Sequence, residues 1–248
     1  MKKHIEIFIA ILIILFMSAV TFSVYRSQTG KQNRELAKRI AELSPNGGTP
    51  ETIDGLKTAI ALYEDQIERN VREGVQTGAY WKILATRLAD SNMHNDALNA
   101  LERAIYFNSE DPFLYYLAGV TAANVANSVV GFSADSINEK ERYFRLSENS
   151  YKRALELNIT YAKPMYGIAL LYVFDLDRPG DAIMYLERLL QVTPADTSAM
   201  FVLARAYYMI ENLQKAVEIY DKIAERTKDK NIREEALNNI DIIQEMLL

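Results

Sequence analysis

The sequence contains no cysteine and only two histidines, His4 and His94, among its 248 residues. The missing cysteine excludes a disulfide framework, a thiolate metal site and a cysteine nucleophile. Two histidines are too few for a multi-histidine metal site, and there is no glycine-rich phosphate loop, so we expect no cofactor and no metal. Six prolines and ten glycines are too few for a disordered chain, while 49% apolar and 25% charged residues are typical of a globular protein.

Positive charge outweighs negative charge near the N-terminus but not in the rest of the chain. Residues 1–40 hold seven Lys or Arg against two Glu, a net charge of +5, whereas residues 41–248 carry a net charge of −10. Nucleic-acid phosphates need a basic face, so the acidic body argues against a nucleic-acid partner. Basic residues beside an apolar segment favour a membrane surface instead.

One long apolar run, residues 7–25, has no charge in nineteen positions. As a helix it extends ~28 Å, close to the hydrocarbon thickness of a bilayer. We predict an uncleaved transmembrane signal anchor over 7–25, preceded by a short cytoplasmic head, residues 1–6. A cleaved signal peptide is the alternative, although the small residues near Ala19 and Ser23 match a cleavage site poorly.

The orientation of this anchor depends on two opposing groups of basic residues. Lys2 and Lys3 favour a cytoplasmic N-terminus, whereas five basic residues between positions 26 and 39 favour the opposite. A short basic head before a first span usually stays inside. We therefore predict a single-pass protein of the cytoplasmic (inner) membrane with an extracytoplasmic, periplasmic C-terminal domain.

Residues 26–50 are predicted to form a basic stem and a Pro/Gly linker. The stem can form a short helix over 31–43, which ends at SPNGGTP, residues 44–50, because prolines and glycines are typical of loops. A flanking helix follows over 51–77, since apolar residues recur there at helical spacing and Thr52 can cap its start. We expect this helix to cover one end of the body through Ile53, Leu56, Ile60, Tyr63 and Ile67.

Small and large apolar residues recur through the body with a period close to 34 residues. The recurring positions are Trp81, Leu84, Ala85, Leu88, Ala97, Leu101 and Ala104; Tyr115, Ala118, Gly119, Ala122, Ser147, Tyr151 and Ala154; Met165, Ile168, Ala169, Tyr172, Ala182, Leu186 and Pro194; and Met200, Leu203, Ala204, Tyr207, Ala216 and Tyr220. This pattern resembles the tetratricopeptide repeat (TPR), a pair of antiparallel helices. The repeats are 78–111, 112–161 with a 16-residue insertion, 162–196, which exceeds the 34-residue period by one residue, and 197–230. A C-terminal capping helix, 231–248, follows.

The resemblance implies an all-α fold: a TPR-type right-handed α-solenoid of about four helix pairs with flanking helices, in addition to the N-terminal transmembrane helix. One helix pair cannot bury its apolar face alone, so pairs stack. The resemblance also implies a protein or peptide partner bound on a concave face. It does not imply catalysis or a small-molecule substrate.

The inward-facing positions of each first helix are implied by the same resemblance to form a protein-binding groove. The candidates are Lys82, Phe113, Tyr116, Tyr166, Leu170, Phe174, Phe201, Arg205 and Tyr208, and Val173 falls in a neighbouring slot. A large exposed aromatic patch usually marks a contact site, although the insertion or the terminal helices are alternative covers for it. Lys82 fits one slot of a carboxylate clamp, but Thr86 and Gly167 depart from it.

The insertion, residues 127–146, is the most individual feature of the sequence. Val129, Val130 and Phe132 are predicted to be exposed in an irregular segment, and they form a secondary contact candidate. Ser136 and Glu139 then form a capping-box pattern that begins a long second helix. Packing of this segment into the groove is favoured slightly over contact with a partner or a membrane.

Two weaker chemical patterns are set aside. His94, in a polar turn with Asp90 and Asp96, is expected to be exposed rather than catalytic. The acidic residues of FDLDRPGD, 174–181, do not have the spacing of an EF-hand calcium loop.

We therefore interpret the chain as a membrane-anchored TPR scaffold or adaptor that serves the assembly of an envelope multiprotein complex, and not as an enzyme. The alternatives are a periplasmic chaperone-like binder of transient clients, a cytoplasm-facing adaptor, and an enzyme with an unrecognised site.

Overall fold

The computed structural model describes residues 31, 34–39, 52–131 and 133–246. Within these ranges all regular structure is helical. The transmembrane anchor predicted over 7–25 lies outside the described residues. Of the helices that are described, none is both long and apolar enough to cross a membrane.

Nine helices are numbered here in chain order within the described residues from 52 onward. They are α1 (Ile53–Asp90), α2 (His94–Phe107), α3 (Pro112–Ser128), α4 (Ala134–Leu157), α5 (Ala162–Leu170, continued by a π-turn, Leu171–Asp175), α6 (Pro179–Val192), α7 (Thr197–Met209), α8 (Leu213–Arg226) and α9 (Lys230–Met246). From α2 onward each helix packs on the next, and α5 also contacts α3 and α7, the first helices of the neighbouring pairs. This stacking of helix pairs is the predicted all-α, TPR-like solenoid.

The chain divides into two compact units, Met1–Glu73 and Gly74–Leu248. The helix predicted over 51–77 is not a separate element, because α1 continues without a break for 38 residues into the first repeat. No proline interrupts residues 53–90, so nothing in the sequence stops the helix. The apolar positions expected to be covered are 39–73% exposed: Ile53, Leu56, Ile60, Tyr63 and Ile67.

The core of the second unit is built on alanines at the closest helix approaches. Ala85, Ala104, Ala169 and Ala204 are completely buried, each among large apolar side chains of adjacent helices. A small residue lets two helix backbones approach so that the larger side chains around it interlock. Leu84, which the repeat pattern places in the core, is instead 43% exposed on α1.

Two glycines admit the ring of Tyr151 between α3 and α5. A Cβ atom built on Gly119 would lie 2.6 Å from both Cδ1 and Cε1 of this ring, and one on Gly167 would lie 2.7 Å from Cζ. The ring is 4% exposed. Ser147, one turn earlier on α4, donates a hydrogen bond from Oγ to the carbonyl oxygen of Gly119 at 2.8 Å. The residue that departs from the clamp pattern, Gly167, is therefore small because Tyr151 fills that space.

A π-turn lies within the third repeat. Leu171–Asp175 has π-helical hydrogen bonding, a form that accommodates one extra residue in an α-helix. The repeat, with 35 residues, is one residue longer than the 34-residue period, and this turn is the irregular part of its first helix. The extra residue also changes which side chains face inward: Val173, predicted to line the groove, is 3% exposed.

The insertion is mostly helical. Its irregular part is confined to the segment between α3 and α4, and α4 begins at Ala134, two residues before the predicted cap. The cap is Ser133, whose Oγ accepts a hydrogen bond from the Ser136 backbone N–H at 3.2 Å. An extended residue immediately before the helix can satisfy its free N–H groups, and Ser133 has this conformation while Ser136 is already helical.

The closing helix α9 buries Ala236, Ile240 and Ile243. Leu237, predicted on this face, is 46% exposed because it is one residue, or about 100°, from the buried stripe. Arg233 is exposed to solvent, and its side chain also contacts the protein. Its guanidinium donates hydrogen bonds to the carbonyl oxygens of Ala224 (3.0 Å) and Thr227 (2.8 Å), near the end of α8.

Candidate functional site

The nine side chains predicted to bind a partner, here called the groove residues, all lie on first helices of pairs. They are Lys82 on α1, Phe113 and Tyr116 on α3, Tyr166 and Leu170 on α5, Phe174 in the π-turn, and Phe201, Arg205 and Tyr208 on α7. Arg205 and Phe174 are exposed, Phe174 by 53%, and the other seven are half-buried. Such side chains are fixed by packing on one side and accessible on the other.

Lys82 is held by contacts at the start of α3. Its Nζ lies 2.7 Å from Asp111 Oδ2 and 4.7 Å from the centre of the Phe113 ring. The other carboxylate oxygen of Asp111 accepts a hydrogen bond from the Phe113 N–H at 2.9 Å and caps α3. Lys82 is thus already paired, which makes it a poor free cation for a ligand carboxylate.

Tyr116 is the centre of an aromatic cluster. Its ring lies 6.4 Å from Phe113, 6.4 Å from the buried Tyr151 and 5.7 Å from Tyr161, measured between ring centroids. Burial raises the pKa of Tyr116 above its usual value, so its hydroxyl stays protonated and can act as a donor. Lys163 Nζ lies 5.8 Å from the Tyr116 ring centroid. The cluster therefore combines apolar ring surface with a positive charge.

Phe174 and Arg205 form a second cluster. The Arg205 guanidinium carbon lies 5.0 Å from the centre of the Phe174 ring, a cation–π distance. Nearby in sequence, Asp175 accepts a hydrogen bond from Asn127 Nδ2 at 3.2 Å, which ties the π-turn to the end of α3. The turn that carries Phe174 is therefore held by a contact with α3, while Arg205 reaches the ring from α7.

A network around Glu148 supports the π-turn from α4. Its Oε1 accepts hydrogen bonds from Lys152 Nζ (2.7 Å) and Tyr172 Oη (2.8 Å), and lies 3.5 Å from Arg178 Nη1. Burial raises the pKa of Glu148, but these hydrogen bonds and the charges of Lys152 and Arg178 outweigh it and leave the pKa below its usual value. Burial, followed by the hydrogen bond to Glu148, raises the pKa of Tyr172. Glu148 is thus ionised at neutral pH and anchors the turn.

The remaining aromatic groove residues have mainly internal contacts. Phe201 meets the buried Tyr220 of α8 at 5.8 Å between ring centroids. Tyr208 Oη lies 3.4 Å from Met246 Sδ. Burial, and then the charge of Asp196, raises the pKa of Tyr166. A cavity of about 230 Å³ lies where α7, α8 and α9 meet, and Arg205 and Tyr208 are in its lining.

The structure thus brings some groove residues together and separates others. Lys82, Phe113 and Tyr116 form one continuous set of contacts, and Phe174 pairs with Arg205. Phe201 and Tyr208 contact neighbouring helices instead. Of the secondary candidates in the insertion, Val130 is 92% exposed, Val129 is half-buried rather than exposed, and Phe132 lies outside the described residues.

Two cavities that include none of the groove residues were not predicted. One, of about 750 Å³, is lined by α2, α3 and α4, with Leu98, Ile105, Tyr143 and Leu146 among its apolar residues. The other, of about 380 Å³, is lined by residues 187–226. The sequence signal for the first was the apolar pair Tyr143 and Leu146, three residues apart on α4.

The described residues contain no group of three His, Cys, Asp or Glu side chains arranged to hold a metal. Asp181, one of the acidic residues of the FDLDRPGD segment, forms an ion pair with Arg178 at 2.5 Å. His94 is half-buried at the start of α2 rather than exposed, and within the described chain its Nδ1 has no hydrogen-bond partner. No carboxylate there orients this imidazole, as general-base catalysis requires.

Comparison with known proteins finds similarity to tetratricopeptide repeat proteins, in agreement with the helix pairs of the fold. Residues 173–234 match the family model for the tetratricopeptide repeat. A TPR repeat-containing protein of Borreliella burgdorferi is 23% identical over 228 residues, which cover 92% of this chain and 94% of that protein. Among solved structures, the thermophilic TPR protein TTC0263 of Thermus thermophilus is 18% identical with a TM-score of 0.53, and the match covers 84% of this chain and 98% of that one. YrrB, a TPR protein with an unusual peptide-binding site, is 19% identical with a TM-score of 0.53, covering 71% and 80%.

The fold and these similarities define the class: a helical repeat protein with a TPR-like solenoid. More particularly, residues 173–234, over the third and fourth repeats, match the TPR family model, and most of the chain is similar to a TPR repeat-containing protein. Proteins of this class generally act as non-catalytic scaffolds for protein–protein interaction.

Proposed function

We propose that the chain binds an extended segment of a partner protein along the groove residues, and that the segment carries acidic side chains. The observation that carries this proposal is the pair of cations beside two accessible aromatic rings, the half-buried Tyr116 and the exposed Phe174. Lys163 and Arg205 lie beside Tyr116 and Phe174, and neither has an ion-pair partner in the described parts of the chain. Residues 41–248 are acidic overall, and these two cations each lie at an aromatic ring among the groove residues.

The chemistry of these two clusters suits a peptide better than a small molecule. Each offers a ring face for an apolar side chain and a cation for a carboxylate, on different helix pairs. A partner that spans several helix pairs meets both, which is how extended peptides use repeat surfaces. The peptide-binding site named for YrrB, which shares the fold, supports a peptide as the partner class.

The apolar run at 7–25 and the basic residues around it support a finer proposal, that the repeats work beside a membrane in the assembly of an envelope complex. In this role the binding domain is extracytoplasmic and recruits one stable partner. A chaperone-like role predicts many weak clients instead.

A crosslinking pull-down from native membranes tests the binding proposal. The variants are Phe174→Ala and the double charge reversal Lys163→Glu with Arg205→Glu, with Tyr106→Ala as the control. Tyr106 is an aromatic residue, 78% exposed, on the second helix α2, so its loss removes a similar side chain away from the groove.

We expect the captured protein to be lost with both groove variants and kept with the control, with far-ultraviolet circular dichroism unchanged in all three. Capture that survives both groove variants would place binding elsewhere. Capture of many proteins in similar amounts would favour the chaperone-like role.

A further inference from the structure

The first half of α1 exposes a continuous apolar stripe. Ile53, Ile60 and Ile67 are 73%, 55% and 60% exposed, and Leu56 and Tyr63 between them are 39% and 51% exposed. Val71 and Val75 extend the stripe and are 60% and 67% exposed. From Ile53 to Val75 it is ~33 Å long on the helix. Apolar patches of this kind usually mark interaction sites.

The spacing of the stripe is that of a coiled coil. Steps of three and four residues alternate from Ile53 to Ile67, which places isoleucine at three successive a positions of a heptad and Leu56 and Tyr63 at the d positions. A heptad seam fits into the holes of another helix with the same repeat. β-Branched residues at a with leucine at d favour two parallel strands.

The other faces of this half of α1 are already engaged. Arg69 pairs with Asp65 and Arg72 pairs with Glu68, all away from the seam. Leu62 and Gln66 are half-buried, and they line a cavity of about 350 Å³ together with Leu36 and Arg39 of the helical segment 34–39. Among the residues that the structure describes, nothing covers the heptad seam, which is the remaining apolar face of this segment.

Charge helps to identify the occupant of the seam. Residues 53–75 contain five acidic and three basic residues, a net charge of −2, which disfavours the anionic surface of a membrane. In a parallel pair the flanking g and e positions place Ala59, which is already buried within its own chain, opposite Glu64, and the half-buried Gln66 opposite Val71. No like charges meet across such a seam, so a second copy of this chain fits both its shape and its charge.

We propose that α1 pairs with α1 of a second copy of this chain in a parallel, two-stranded coiled coil centred on Ile60. The seam covers about two heptads, from Ile53 to Ile67, which is short for a coiled coil, so the association is reversible. This inference is independent of the groove and its partner.

The absence of native cysteine makes disulfide mapping of the full chain a direct test. Single substitutions Ile53→Cys, Ile60→Cys and Ile67→Cys place a thiol at successive a positions, and Thr58→Cys and Arg72→Cys place one at f positions away from the seam. After mild oxidation, crosslinked dimers are separated on non-reducing gels. We expect all three a-position variants to crosslink at least tenfold faster than the two f-position variants.

Each other pattern overturns the proposal. Rapid crosslinking at position 60 alone indicates antiparallel strands, because the ends of the seam are then far apart. Equal rates at a and f positions indicate random collision. No crosslink, with position 60 protected from a water-soluble maleimide only when lipid vesicles are present, indicates a lipid surface instead.

A charged variant gives a second readout that does not depend on oxidation. Ile60→Lys puts a charge at the centre of the seam but alters an exposed side chain, so the melting curve of the full chain should change little. We expect the concentration-dependent dimer seen by sedimentation velocity to be lost in this variant and kept in Thr58→Lys. A dimer that persists in Ile60→Lys refutes the seam.

Discussion

Replacement of Gly119 by alanine should destabilise the repeat array by forcing a methyl group against Tyr151. The added Cβ would lie 2.6 Å from two ring carbons and 3.0 Å from a third. Carbon atoms in good contact are about 3.5–4.0 Å apart, so the ring or the helix has to move by roughly 1 Å. The Tyr151 ring is 4% exposed, and its Cε1 edge also lies against Gly167, so it has little room to move.

Two opposing effects set the size of the change. Overpacking of a filled core costs about 1–3 kcal/mol, and three short contacts to one ring argue for the upper end of that range. Alanine in a helix interior recovers about 0.5–1 kcal/mol relative to glycine. The expected net loss is about 2 kcal/mol of the free energy of unfolding, which for a domain of this size lowers the melting temperature by ~4–8 °C.

Thermal and urea denaturation followed by circular dichroism measure this loss. Gly180→Ala is the matched control, because no heavy atom lies within 4 Å of the position that its Cβ would occupy. This variant should be as stable as the parent or slightly more stable. If the Gly119→Ala and Gly180→Ala proteins have the same melting temperature, Tyr151 does not fill the space between α3 and α5.

A double-mutant cycle attributes the loss to the ring. Tyr151→Leu alone should destabilise the array by removing a buried aromatic side chain. Combined with Gly119→Ala, it should cost at least about 1 kcal/mol less than the sum of the two single changes, because the clash is no longer present. Additive losses would contradict the proposed contact.

Three further predictions concern stability and binding. Glu148→Gln should lower the free energy of unfolding by about 1–3 kcal/mol at pH 7. Because folding lowers the pKa of Glu148, the parent is more stable than the variant above about pH 4.3, and this difference is lost as the pH falls through the lower pKa of the folded state. Urea titrations at pH 7 and pH 3 measure the difference. Ala204→Leu should cost about 1–3 kcal/mol by overpacking, whereas exposed Glu234→Gln should cost little, and equal melting temperatures would contradict the packing. Partner capture should weaken as salt rises from about 50 to about 500 mM, and Lys163→Gln should reduce that dependence; a salt-independent complex would exclude an acidic segment.

The helix pairs were predictable from sequence because stacked repeats require a small residue wherever two helices meet. Ala85, Ala169 and Ala204 occupy equivalent positions, and Ser147 marked the delayed second helix of the second repeat by the same rule. The all-α, TPR-like array follows from this spacing, and the structure confirms it. Repetition makes such positions visible in one sequence, since each repeat is a separate instance of the same constraint.

Features that occur once were not predictable in this way. The length of the third repeat showed that it contains one extra residue. The location of that residue at Leu171–Asp175 depends on which backbone hydrogen bonds can adopt the π-helical pattern, and the sequence does not indicate this. Gly167 was unexplained without Tyr151, which lies sixteen residues away on another helix. The continuity of α1 was missed because apolar spacing shows a helical face but not whether two successive helices are joined.

The groove residues were assigned to the correct helices, yet their contacts depend on tertiary structure. Phe201 has the same inward slot as Tyr166, but a buried Tyr220 lies behind it and engages its ring. Lys82 has a carboxylate partner from the following helix that no local pattern indicates. Slot positions therefore predict which helix faces a ligand, but not which side chains are free to bind it.

The π-turn has a consequence for how this surface changes between related proteins. One residue of an α-helix corresponds to a rotation of about 100°. Removal of a single residue from Leu171–Asp175 would restore a regular helix and turn Phe174 away from Arg205, with every other side chain unchanged in type. Recognition at this point of the array is therefore set by the length of the chain as well as by its composition, and a one-residue deletion can act there as a change of specificity.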